Sequence, residues 1–236
     1  MPDFKIAEWN EDNYDVDKNE YMKEAYANGK WAFVSDYVRL DVVYNYGGIY
    51  FDTDVEAVKD FSPLLCCGLF AGFENKDETN GQNAENSVNF GLGFGAEKGH
   101  PVLKELLEFY EKLSFYNADG SLNLVACPKY QTEILKRFGL NEKERVFQKF
   151  GDVTIYPEEY FSPKSFLTGK IEATENTYSI HHFLMTWLDE KAVKFRRKEW
   201  ELSQKYGYKK AKRIVRFLSL PYRIKRKIKK VFGKGN

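Results

Sequence analysis

The sequence predicts an α/β fold, a mixed and mostly parallel sheet flanked by helices, with a basic helical extension at its C-terminal end. Three observations predict it. Short runs that alternate apolar and polar residues take turns with segments of helical period. Apolar residues make up 43% and aromatic residues 17% of 236 residues, enough for one substantial core. Charge is also divided along the chain: of 36 Lys/Arg and 35 Asp/Glu, 18 and 2 lie from Lys191 onward. The body therefore carries about −15 and the tail about +16, which separates a domain at 1–190 from a basic tail at 191–236.

The elements follow in chain order. FKIAEW (4–9) alternates like a strand and gives way to the polar, turn-rich NEDNYDVDKNEY. Residues from about Glu20 to Gly29 read as a short helix ending at glycine. In WAFVSDYVRLDVVYNYGG, Ser35 is a candidate N-cap, Asp36 an acid in the first turn, and Val34, Val38 and Val42 an apolar stripe, with glycines past the end. That predicts a helix of about three turns. After Gly48 the period becomes two, placing Ile49, Phe51 and Thr53 on one face and Tyr50, Asp52 and Asp54 on the other. Then come a Pro-marked turn (FSPLL), a strand (GLFAGF), a polar loop from Glu74 to Asn86 and the glycine-punctuated, strand-like VNFGLGFGA. HPVLKELLEFYEKL and KYQTEILKRFG read as helices, and VTIYP and TYSIHH as strands.

The chemistry concentrates in GGIYFDTDVE (47–56). A D-x-D triplet alone is weak, since Asp15-Val16-Asp17 repeats it in the polar loop, where it reads as solvated. That copy also fails as a calcium loop, because Glu20 stands where such a loop needs glycine. Asp52 and Asp54 differ in context. They project the same way at the end of a strand, where ligands of open α/β sheets bind, and two like charges side by side call for a cation. Hard oxygen donors suit Mg²⁺ or Mn²⁺ with positions left open for phosphate oxygens, although the polar end of an ordinary strand fits the same residues. Asp36 and Arg39 lie three apart on one helical face, either as a plain ion pair or as a carboxylate for sugar hydroxyls beside a guanidinium for phosphate.

The run FVSDYVRLDVVYNYGGIYFDTDVE, with NFGLGFGAEKGHP and the late TENTYSIHHFLMTW, resembles a glycosyltransferase family with a DXD sugar-binding region. The family includes bacterial capsular polysaccharide enzymes and yeast-type (OCH1-like, family 32) α-mannosyltransferases and is distantly shared with large clostridial glucosylating toxins. The likeness extends from about residue 3 to 190. It implies a GT-A fold and retaining transfer of a hexose from a nucleotide sugar, UDP- or GDP-linked, to a glycan or lipid-linked acceptor in capsular or surface polysaccharide synthesis. It also implies residue roles: Asp52 and Asp54 at the metal and diphosphate, Asp36 and Arg39 on the donor sugar, and Ser35, Tyr50, Asn89, His181 and Trp187 lining the donor pocket. One of the two histidines, His182, completes the metal shell in this reading. Thr186 stands where the family usually has serine before the tryptophan. Members also begin with a strand and loop for the nucleotide base, so the resemblance implies a further βα unit of roughly 30 residues ahead of the segment at Met1. A chain without it would be a catalytically inactive remnant that binds glycan or a partner protein. Metal-dependent phosphoryl transfer would use the same two acids but leaves the Asp36–Arg39 pair unexplained.

Three cysteines, Cys66, Cys67 and Cys127, form no even, spaced framework, and no window reaches the roughly 18 apolar residues of a membrane span. The expected setting is cytoplasmic. From Lys191 onward, Lys and Arg interleave with Ile, Val, Phe, Leu and Tyr at helical period, with a break near Pro221. This predicts amphipathic helices that contact an anionic membrane peripherally; nucleic acid is not expected as a partner, given the acidic body and the lack of a nucleic-acid motif.

Overall fold

The computed structural model describes residues 4–75, 86–185 and 188–232, and these form two compact units. The first comprises Met1–Lys164 with Glu172–Phe183, and the second Ser165–Ile171 with Leu184–Asn236. Relative to the expected division at residue 190, the second unit takes in seven further residues from 165 to 171 and starts a few residues earlier.

The first unit opens without a strand: residues 4–10 are irregular, and Ile6 is 92% exposed. Alternation in FKIAEW lacks a neighbouring strand to pair with, and an unpaired strand is not stable alone. Helix α1 (Glu20–Ala27) is capped by the Asn19 side chain, which accepts from Met22 N, and it buries Tyr21, Met22 and Ala25. Helix α2 runs over Trp31–Tyr46, so it begins four residues before Ser35. Ser35 is thus inside the helix, its hydroxyl donating to Ala32 O at 2.9 Å instead of capping. The helix ends at Gly47, whose φ of 71° suits glycine, and a Cβ there would lie 3.0 Å from Lys98 N.

Strand β1 (Gly48–Tyr50) is shorter than the alternation suggested; the chain turns through Asp52, with Val55 N donating to Asp52 O, into β2 (Val55–Ala57). Further on lie a 3₁₀ turn at Ser62–Cys66, β3 (Leu69–Gly72), a second 3₁₀ turn at Phe90–Leu92 and β4 (Phe94–Ala96). Helices α3 (Pro101–Tyr110) and α4 (Cys127–Phe138) match the expected amphipathic segments. They precede β5 (Gln148–Phe150), β6 (Val153–Tyr156), the one-turn α5 (Glu158–Phe161) and β7 (Ser179–His181).

The main sheet has the order β1-β4-β3-β6-β5, and β2 pairs with β7 in a second, two-stranded sheet. The fold is the mixed α/β arrangement expected, with a smaller parallel share: β3–β6 is parallel, whereas β1–β4, β3–β4 and β5–β6 are antiparallel. Helices alternate with strands along the chain, but the described residues between β3 and β4 hold only the 3₁₀ turn, and β4 pairs antiparallel with β3. Tyr21, Leu40, Phe94, Leu103, Leu106, Leu135 and Ile155 share one buried core. A smaller cluster of Phe61, Phe70, Leu92 and Phe161 lies beside Phe51, and a Cβ on Gly95 would come 2.4 Å from the Phe70 ring.

The second unit is helical: α6 (Glu190–Tyr206), α7 (Tyr208–Leu218) and α8 (Leu220–Phe232). Asp189 caps α6 by accepting from Ala192 N, and Trp200 donates its indole N–H to Phe166 O at 2.7 Å. Pro221 is the second residue of α8 and starts that helix, since a first-turn residue needs no intrahelical N–H bond. None of the helices is long and apolar enough to cross a membrane among the described residues.

Candidate metal and donor site

Arg39 is the hub of the site. It projects from α2 almost fully buried (3% exposed), with Asp36 one turn earlier at 7%. Its Nη2 lies 3.0 Å from Asp36 Oδ1 and 3.2 Å from Asp52 Oδ1. The same guanidinium donates to Ser35 O and Ser35 Oγ, each at 3.0 Å, and its carbon stands 5.2 Å from the Tyr50 ring centroid. A fork with five fixed donors is what such a convergence requires. Burial raises the Asp36 carboxyl above the ordinary carboxylate range, against the lowering by Arg39 and by a hydrogen bond with Cys127, at the start of α4.

Asp52 is held from a second side, because Tyr50 O–H donates to its Oδ1 at 2.9 Å. Gly91 closes a third side. A Cβ on Gly91 would lie 2.5 Å from Asp52 Oδ2, 2.7 Å from Arg39 Nη1 and 3.0 Å from Asn89 Oδ1. Asn89 fixes the Gly91 turn by accepting from Gly91 N at 2.7 Å, while its amide donates to Glu74 Oε1 at 2.6 Å. Ser87 Oγ donates to the other Glu74 oxygen, and burial raises that carboxyl. Asn89 therefore supports the wall of the site and does not itself reach the acids.

Register decides the third ligand. In the β2–β7 ladder Val55 stands opposite His181, and His182 N donates to Asp54 O at 2.8 Å. His181 Nε2 comes 3.2 Å from Asp54 Oδ1 and 3.9 Å from Asp52 Oδ2. Successive strand residues face opposite ways, so His182 points elsewhere and sits 2.8 Å from Glu56 Oε2. The structure thus brings His181 to the two aspartates, where the sequence expectation had His182. Trp187, expected to close the donor pocket, lies outside the described residues. Asp15-Val16-Asp17 is the solvated turn expected: Asp15 accepts from Asp17 N, and Asp17 pairs with Lys23 at 3.5 Å in the open.

The set fits a divalent cation. One ligand atom each from Asp52, Asp54 and His181 lies within 4.8 Å of the others. Octahedral ligands about 2.1 Å from an ion stand about 3.0 Å apart when adjacent and 4.2 Å when opposite, so the observed spacings need little adjustment. Burial lowers the His181 pKa, against the raising by Asp54 and Asp52, and so favours the uncharged ring that a metal ligand needs. Its Nδ1 is buried without a hydrogen-bond partner among the described residues, and the ring packs 4.3 Å from that of Phe183.

Sequence reasoning missed Gly91 and Cys127. The glycine punctuation of NFGLGFG was the available signal for the first; nothing local marked the second.

Comparison with known families finds a match over part of the chain. Residues 1–69 match the family described as "Glycosyltransferase sugar-binding region containing DXD motif". That match supports a glycosyltransferase and covers Asp36, Arg39, Asp52 and Asp54, while Asn89, Gly91 and His181 lie beyond it. No curated protein and no solved structure matches the chain.

Proposed function

We propose that the chain transfers a hexosyl group, with retention, from a nucleotide sugar to a glycan or lipid-linked acceptor in surface polysaccharide assembly. One observation carries the reading: the two aspartates of the matched D-x-D region meet His181 from a distant strand, at ligand spacing, beside a buried arginine. Asp52, Asp54 and His181 would hold Mn²⁺ or Mg²⁺, which when bound supplies positive charge next to the departing diphosphate.

The chain's own residues do the rest. Arg39 fixes Asp52 and places a second positive charge where negative charge develops on the leaving oxygen. Asp36 and Ser35, nearly closed off beside Arg39, aim the guanidinium, so their role in this reading is support more than sugar contact. In the transfer the acceptor hydroxyl oxygen bonds to the anomeric carbon as the bond to phosphate breaks. The electron pair leaves with the nucleoside diphosphate, which also takes the hydroxyl proton. No second carboxylate pair of the glycosidase kind is then required.

The test is a screen of UDP- and GDP-hexoses with Mn²⁺, reading thermal protection and sugar release. Donor-dependent protection that Asp54→Asn abolishes is the expected result. Undiminished Mn²⁺-dependent turnover by Asp54→Asn would overturn the metal assignment, and a lack of response to any donor would overturn the transferase reading.

A further inference from the structure

Between Lys209 and Lys230 the second unit carries 11 basic residues and no acidic one. Within that stretch Leu220, Ile224 and Ile228 recur every fourth residue of α8 and so form one stripe. They are 46%, 51% and 52% exposed, and Phe217 at the end of α7 is 77% exposed. The stripe faces outward because α8 is held from its other side. Tyr222 O–H donates to Asp189 Oδ2 at 2.5 Å, and its ring lies 5.6 Å from that of Phe195 on α6. Arg223 and Lys225, both exposed, flank the stripe on either side.

We propose that α8, with Phe217, lies flat in the headgroup boundary of an anionic bilayer, with Leu220, Ile224 and Ile228 inserted. Charge complementarity selects this occupant. A second copy docked tail to tail would bring two uncompensated cationic segments together, while an acidic protein surface, that of a second copy's body included, and nucleic-acid phosphates would each leave the three aliphatic side chains without apolar partners. A bilayer boundary satisfies both halves: apolar residues enter the acyl region while the flanking cations reach lipid phosphates along their own methylene stems. The 13 residues of α8 span about 20 Å, short of the roughly 30 Å of a hydrocarbon core, so the helix rests on the membrane and does not cross it.

The experiment is sedimentation of the full chain with sucrose-loaded vesicles, neutral phosphatidylcholine against the same lipid with one-third phosphatidylglycerol, in about 0.1 M salt with chelator. Partition to the anionic vesicles alone is expected, falling about fivefold for each of Arg223→Gln and Lys225→Gln. Ile224→Ser with Ile228→Ser leaves the charge unchanged and is expected to lower partition about tenfold or more, with helix content by circular dichroism unaltered. Equal binding to neutral vesicles, no binding, or an unchanged serine double variant would overturn the proposal. So would capture by a DNA duplex or an acidic peptide at the same salt without vesicle binding. The assay needs no donor or metal, and Asp54→Asn is expected to sediment like wild type, so its outcome is independent of the transferase reading.

Discussion

Replacing Gly91 by alanine adds one methyl group and tests whether the site depends on the fixed position of Asp52. Gly91 has no positive φ, so alanine meets no backbone penalty, and any effect comes from the new carbon. That carbon would lie 2.5 Å from Asp52 Oδ2 and 2.7 Å from Arg39 Nη1. Relaxing both contacts to about 3.4 Å moves the carboxylate by about 0.9 Å and the guanidinium by about 0.7 Å. Neither can give freely: Asp52 is tied to Tyr50 and Arg39, and Arg39 to Ser35 and Asp36. Metal sites tolerate about 0.2 Å in ligand distance, and a misplacement near 1 Å in a catalytic group costs about a hundredfold in rate. Overpacking of this size also destabilises by about 1–3 kcal/mol. Calorimetric titration with Mn²⁺ should therefore show affinity about ten- to a hundredfold weaker, and donor turnover should fall by about two orders of magnitude, in a protein that still melts cooperatively. A folded Gly91→Ala variant with wild-type Mn²⁺ affinity and turnover would show that Asp52 does not act from the position Arg39 and Tyr50 give it.

The two histidines should separate cleanly by metal titration: His181→Ala is expected to weaken Mn²⁺ binding by about tenfold or more, whereas His182→Ala, which loses only an exposed contact with Glu56, should stay within about twofold. Arg39→Lys keeps the charge but cannot serve Ser35, Asp36 and Asp52 together, so denaturant unfolding should show a loss of about 2 kcal/mol alongside reduced turnover; unchanged stability would argue against the hub. His100 caps α3 through Nδ1, which accepts from Val102 N at 3.2 Å, and burial lowers its pKa against a smaller raising by Asp152. A depressed folded pKa means the unfolded chain binds the proton first, so this stabilisation is present above about pH 6.5 and is lost as pH falls below it. Protonated Nδ1 can no longer accept from Val102, and melts between pH 7 and 5.5 should lose about 1 kcal/mol more in wild type than in His100→Asn, which keeps a capping oxygen.

Much of the fold was legible because local pattern and tertiary placement agreed. The spacing of HPVLKELLEFYEKL and KYQTEILKRFG gave α3 and α4, and the change of period after Gly48 located β1. The misreadings occurred where a local signal had a second use. Ser35-Asp36 looks like a cap and first-turn acid, yet both side chains are engaged by Arg39 and the helix runs back to Trp31. FKIAEW has a strand's alternation without a strand's neighbour. Asp41, on the same helix, is buried for an unrelated reason: Lys18 lies 2.6 Å from its Oδ2 and Tyr14 O–H donates to it at 2.7 Å. A single helix thus carries two buried acids facing different tasks, and periodicity alone does not distinguish them.

The site itself was half legible, and the division has a physical cause. A D-x-D triplet on one strand end specifies two carboxylates but not what holds them apart or completes their shell. Here that work falls to segments far away in sequence: the Asn89–Gly91 turn, which limits how far Asp52 can move, and β7, whose register with β2 selects His181 over His182. Neither segment lies within the matched residues 1–69. Asp15-Val16-Asp17 shows the consequence within the same chain, since the same triplet without such walls closes a local turn and pairs with an exposed lysine. Metal affinity should therefore respond to the register of β7 as strongly as to the aspartates. Inserting one residue between Tyr178 and Ser179 shifts β7 by one step against β2, puts Ile180 in place of His181 opposite Val55 and so withdraws the nitrogen ligand, unless a bulge absorbs the extra residue and leaves His181 where it is. Retained Mn²⁺ affinity in that insertion variant that now depends on neither histidine would mean the two aspartates bind without β7, contrary to the geometry that joins them.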